Sequence, residues 1–169
     1  MVRSLPPIGL DSFSLREQWL VAMKRVRYFA YGSNLSIAQM RARCPSAVRE
    51  AKATLPGYRL VFSGYSHGWN SPVASLVRDR RSVVPGLLYT LSADDLLVLD
   101  RFEGQSYERV SRLVTDRRGE RRLFAHVYVM PDEPAEPCAP GVEYLCVLWL
   151  AYKRLGFNRK PLARAARLA

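Results

Sequence analysis

Hydrophobic positions in this chain fall in short runs, and most of those runs are too brief for a helix. Residues 28–31 read as a buried strand, and Ser36 then offers a capping hydroxyl for a short helix ended by Cys44-Pro45. Strands are predicted over 51–55 and 58–62, flanking a Pro56-Gly57 turn, and a loop of turn formers over 64–71. Further strands follow at 73–78 and 84–91. Ser92-Ala93-Asp94-Asp95 is a helix start, with a capping hydroxyl and two acids where the helix dipole favours them. Leu96, Leu97 and Leu99 supply that helix's apolar side; it should end near Arg101, with Gly104 just beyond.

Residues 107–115 and 121–130 form the next predicted hairpin, across a turn at 116–119. A proline-rich loop occupies 131–140. An amphipathic helix from about Gly141 to Leu155 stops at Gly156, and the rest reads as a basic tail. Many short strands with two or three helices imply an α+β domain. We place that domain at 23–157, between an N-terminal extension (1–22) and the tail (158–169). Met23 is a natural start for it; alternatively, residues 14–21 form a short helix packed on the domain, although deleting 1–22 is expected to leave activity unchanged.

At 169 residues, 49% hydrophobic and 24% charged, the composition is that of one ordinary globular domain. No apolar run approaches the roughly 20 residues of a membrane span, and Asp11, Arg16 and Glu17 interrupt any signal-peptide core. Cytoplasmic residence is the expectation. Cys44, Cys138 and Cys146 form no C-x-x-C pair and their number is odd, which favours free thiols over zinc ligands or a disulfide framework. No dinucleotide or P-loop glycine motif occurs.

The net charge of +11 is concentrated at 78–81, 117–122 and 153–167. Such charge attracts nucleic acid, anionic membranes or acidic ligands, but no nucleic-acid-binding motif accompanies it, so nucleic acid is not the expected partner.

Two places could carry chemistry. Tyr31-Gly32-Ser33-Asn34-Leu35 joins a strand to a helix, and successive backbone N–H groups at such a junction favour a small anionic group. A tight turn without a ligand would have the same residues. Glu103 follows a helix end, where carbonyl dipoles and burial would both raise its pKa into the range of a general base. A solvated acid paired with Arg101 is the alternative. Tyr107 and Tyr144 could orient a charged group, or simply pack. Ser33 lacks a G-x-S-x-G elbow, and His67 and His126 stand near no serine or cysteine motif.

Together these segments resemble the gamma-glutamylcyclotransferase-like family. Residues 31–35 match its glycine-loop signature, and Cys44-Pro45-Ser46-Ala47 resembles the segment that follows it. Leu99-Asp100 and Glu103-Gly104, with Tyr107 opening the next strand, match its catalytic-glutamate region; 140–156, with Tyr144 inside, resembles its C-terminal helix. The similarity covers about residues 26–157. It implies a small mixed β-barrel with helices around it and a side cavity, working without cofactor or metal. The implied reaction is attack of a substrate's α-amine on its own γ-glutamyl amide, releasing 5-oxoproline and an amine or amino acid.

By the same resemblance Glu103 moves the protons, Tyr31, Gly32, Ser33, Asn34 and Leu35 hold the glutamyl group through backbone N–H groups, and Tyr107 and Tyr144 shape the pocket. Many members carry a Gly-Gly pair where this chain has Asn70-Ser71-Pro72, which bears on the leaving-group side, because Pro72 removes a backbone donor. A small-molecule γ-glutamyl substrate and a homodimer are the expected partners. Two other readings stay open: removal of a γ-glutamyl group from a larger biosynthetic amine, and a non-catalytic ligand- or nucleic-acid-binding protein on the same fold. Retention of Glu103 argues against the last; salt-dependent nucleic-acid binding would favour it.

Overall fold

The computed structural model describes residues 25–116, 119, 121–131 and 138–167. The 1–22 extension, the Met23 start and most of the proline-rich loop lie outside the described residues. Five strands, β1 (Val26–Ala30), β2 (Val48–Ser66), β3 (Ser71–Leu91), β4 (Glu108–Asp116) and β5 (Arg122–Val129), close into a barrel in the order β1-β3-β2-β4-β5. All pairings are antiparallel except the one between β1 and β5, where Tyr28 sits opposite His126. Among the described residues no helix is long and apolar enough to cross a membrane.

The four strands expected between residues 51 and 91 are two long ones. Pro56-Gly57 is not a turn but an irregularity in β2, where the register against β3 shifts between Pro56 and Tyr58 and Gly57 takes φ +80°. An inserted residue bends a strand without ending it, and bent strands let a small sheet close on itself. Proline is tolerated there because the ladder is already interrupted. The loop expected over 64–71 shrinks to a hairpin tip, with β2 running to Ser66 and β3 starting at Ser71.

Helices α1 (Ile37–Arg43), α2 (Ala93–Glu103), α3 (Val142–Leu155) and α4 (Lys160–Ala165) pack around the barrel. Ser36 accepts from Gln39 N, and Ser92 accepts from Asp95 N, so both predicted caps form. The helix α2 runs two residues past Arg101 and ends with Glu103. Leu96 and Leu99 are buried while Leu97 is 54% exposed, because it lies off the face that positions 96 and 99 share. Buried Tyr144, Leu148, Ala151 and Leu155 form the apolar stripe of α3. Gly156, in the left-handed conformation, ends that helix, and Lys52 donates to the Leu155 carbonyl there. Residues 160–165, part of the sequence-assigned tail, form α4 and bury Leu162 completely.

Candidate active site

Glu103 reaches the barrel through helical spacing. Leu96, Leu99 and Glu103 stand three and four residues apart, so the face that anchors α2 in the core also carries the carboxylate. Asp100, one turn earlier, accepts from the Tyr128 hydroxyl at 2.7 Å and meets Arg109 at 3.4 Å, fixing the end of α2 against β5 and β4. At the other end, Ser46 donates to Asp95 and pairs with the Ser92 hydroxyl at 3.2 Å, and the Cys44 thiol faces the Asp95 carbonyl at 3.5 Å. The Cys-Pro-Ser-Ala segment thus joins the end of α1 to the start of α2, and the Leu-Asp segment ties α2 to the barrel.

The Tyr31–Leu35 segment makes a 3₁₀ turn between β1 and α1. Leu35 N and Ser36 N donate to Gly32 O and Ser33 O, at 3.0 and 2.9 Å, so the turn consumes two of its own donors. The 32–34 stretch borders the inner space of the site, with the Ser33 N–H directed to the Tyr144 hydroxyl. Leu35 itself does not face the cleft: its side chain is 1% exposed and packs in the core.

Asn34 is the centre of the site and is 2% exposed. Its Nδ2 donates to Glu103 Oε1 at 3.2 Å and to the Tyr28 hydroxyl at 2.9 Å. Its Oδ1 accepts from Arg43 at 2.8 Å and Gln39 at 3.3 Å. Gln39 also donates to Ser33 Oγ at 2.8 Å. One amide therefore fixes the orientation of Glu103 and ties it to the turn.

Tyrosines from several elements enclose this hub. Tyr31 donates to the Tyr128 carbonyl at 2.7 Å, and Tyr107 donates to the Ala74 carbonyl at 2.6 Å. The Tyr144 hydroxyl accepts from Ala74 N at 3.1 Å. A Cβ at Gly32 would stand 3.4 Å from that hydroxyl and take up space in the chamber between them.

Two connected spaces result. An inner chamber of about 30 Å³ is lined by Tyr28, Tyr31, Asn34, Tyr128 and the four residues it shares with the outer cleft, namely Ser33, Glu103, Tyr107 and Tyr144. The outer cleft, about 490 Å³, adds Arg43, Phe102 and the hairpin-tip residues Tyr65, His67 and Trp69. That volume lies in the range of small-molecule sites. Neither Ser71 nor Pro72 lines it; Ser71 Oγ instead accepts from Gly141 N at 2.7 Å, at the start of α3.

Glu103 is the single carboxylate among the described residues that line these spaces. Burial pushes its pKa up to about 7, against the opposing pull of the Arg43 charge and the Asn34 hydrogen bond. Burial also holds the phenols of Tyr28, Tyr31, Tyr107 and Tyr144 above their ordinary range, so they stay protonated near neutral pH. No group of three or more His, Cys, Asp or Glu residues comes together among the described residues.

Of the residues singled out from the sequence, Tyr31, Gly32, Ser33, Asn34, Glu103, Tyr107 and Tyr144 meet here. Arg43, Tyr28, Tyr128, Tyr65 and Trp69 were not singled out, and His67 was set aside for want of a serine or cysteine motif. Only the strand alternation of Tyr28 could have flagged one of them; the rest arrive through barrel closure.

The chain also matches known proteins over most of its length. The family model for Gamma-glutamyl cyclotransferase, AIG2-like, covers residues 28–146. Gamma-glutamylcyclotransferase of Mus musculus is 28% identical over 140 residues, 79% of this chain and 73% of the relative. That of Homo sapiens is 28% identical over 137 residues, 76% of this chain and 71% of the relative. A solved Gamma-glutamyl cyclotransferase superimposes with TM-score 0.71 at 26% identity, covering 85% of this chain and 86% of the other. The match to the family model and the closed barrel agree: this chain belongs to the gamma-glutamyl cyclotransferase, AIG2-like family of enzymes.

Proposed function

We propose that this chain cyclises the γ-glutamyl group of a small γ-glutamyl amide, releasing 5-oxoproline and a free amine or amino acid, with Glu103 as the proton carrier. The observation that carries this reading is a lone, partly buried carboxylate, held by Asn34, beside a chamber that borders the 32–34 backbone.

The reaction needs a nucleophilic amine, yet an α-amino group is largely protonated at neutral pH. Glu103, titrating near 7, is poised to take that proton and to hold it. The freed amine attacks the γ-carbonyl carbon and forms the ring's C–N bond. Glu103 then gives its proton to the leaving nitrogen as the amide C–N bond breaks, and as a carboxylate again it takes the second proton from the ring nitrogen, leaving the lactam N–H. The backbone donors of 32–34 would hold the glutamyl group, and fixed donors assist charge development without reorganising. Tyr107 and Tyr144, both protonated, would confine the substrate in the folded conformation that brings amine and carbonyl together. The amine side would extend into the outer cleft, where Phe102, Tyr65, His67 and Trp69 stand.

The same reading puts the enzyme in the cytoplasm, which three free cysteines suit. The test is 5-oxoproline release from a panel of γ-glutamyl amino acids, γ-glutamyl amines and glutathione. Release by the wild type and not by Glu103→Gln supports the reaction and the base together. No release from any member, including bulky amines, overturns it.

A further inference from the structure

Two of the three basic clusters in the sequence lie about 80 residues apart, and neither takes part in the site above. The fold brings them together. Packing of α4 against β2 and β3 leaves a groove of about 480 Å³, into which Arg59, Arg81, Lys160, Arg164 and Arg167 project. Lys160 and Arg164 are four residues apart, so they share one face of α4. None of the five forms an ion pair among the described residues. The groove's one acid, Asp79, accepts from Arg81 N at 3.0 Å and from Ser82 Oγ at 2.7 Å, and its charge offsets part of that of Arg59 and Arg81, so the five cations still outnumber the acid.

Five like charges around one concavity repel one another, and the arrangement is relieved by a concentrated anion. Four of them are arginines, whose planar guanidinium groups suit bidentate contacts with phosphate oxygens. The groove also has an apolar side, formed by Val83, which is 54% exposed, and by Pro161 and Ala165. A ligand with both a polyanionic end and a less polar body matches that lining. Of the third basic cluster, Arg121 is paired with Asp116 at 3.1 Å and lines no part of the groove. These five cations surround a pocket of small-molecule size.

We propose that this groove binds a small polyphosphorylated anion of the nucleoside di- or triphosphate type, at a site separate from the catalytic cleft. The test is calorimetric titration of the full chain with ATP, AMP, tripolyphosphate and a single-stranded RNA, at low and at physiological salt. Tight one-to-one binding of ATP and tripolyphosphate, weaker for AMP and weakened by salt, is the expected result. Arg81→Glu with Arg164→Glu should weaken ATP by about tenfold or more, with the melting temperature and 5-oxoproline release retained. Lys160→Ala alone should weaken it less.

Absence of ATP and tripolyphosphate binding to the wild type at millimolar concentration overturns the proposal. So does unchanged affinity in the double variant, or RNA binding that ATP does not displace. Because no groove residue lines the catalytic cleft, the cyclotransferase reading can fail or hold independently of this one.

Discussion

Glu103→Gln separates the chemical role of the carboxylate from its structural cost. The amide keeps the size of the side chain and an oxygen for Asn34 to donate to, but it cannot carry a proton between two nitrogens. Loss of a positioned base is worth roughly 10²- to 10⁴-fold in rate, so 5-oxoproline release should fall by at least that lower figure. Stability should move the other way. A carboxyl displaced from 4.5 to about 7 binds its proton more tightly folded than unfolded. Its favourable contribution is present below pH 4.5 and is lost as pH rises through 7, because above that the buried group must be charged.

At about 1.4 kcal/mol per pH unit, the displacement is worth about 3 kcal/mol. Urea denaturation of both proteins across pH 4–8 reads it directly. Relative to wild type, the glutamine variant should gain up to about 3 kcal/mol between pH 4 and 8. A stability difference that does not change with pH would refute the burial argument. Turnover within a few-fold of wild type would remove Glu103 from the reaction.

Three further outcomes follow from the same structure. Arg43→Leu removes a charge that lowers the Glu103 pKa, so the acid limb of the kcat/KM profile should move to higher pH; a shift to lower pH would contradict the assigned electrostatics. At Gly86, a Cβ would lie 2.4 Å from the Ala30 carbonyl and from the Phe29 ring. Gly86→Ala should therefore cost about 1–3 kcal/mol by thermal or urea unfolding, and a neutral substitution would mean that β1 yields easily. Leu162→Ala should cost about 2–5 kcal/mol if α4 is part of the cooperative fold; an unchanged urea midpoint would make α4 a dispensable appendage.

Much of the site was legible in the chain because it is built from local geometry. A capping serine before each of α1 and α2, a glycine after α3, and the apolar Leu96 and Leu99 of α2 depend only on neighbouring residues. Those features, with the Tyr-Gly-Ser-Asn turn, determined the elements, most of the candidate residues and the family resemblance.

The tertiary structure decided what sequence neighbours do not control. Whether Pro56-Gly57 ends a strand or bends one depends on the register of β2 against a partner some 25 residues away, and closure selects the bend. The contact of Asn34 with Glu103 spans 69 positions, and that of Tyr31 with Tyr128 spans 97. Arg43 comes to bear on Glu103, and the hairpin-tip aromatics reach the cleft, only when the barrel closes. The titration of Glu103 is decided there too, since burial, its largest cause, is a property of the packed barrel and not of any local pattern.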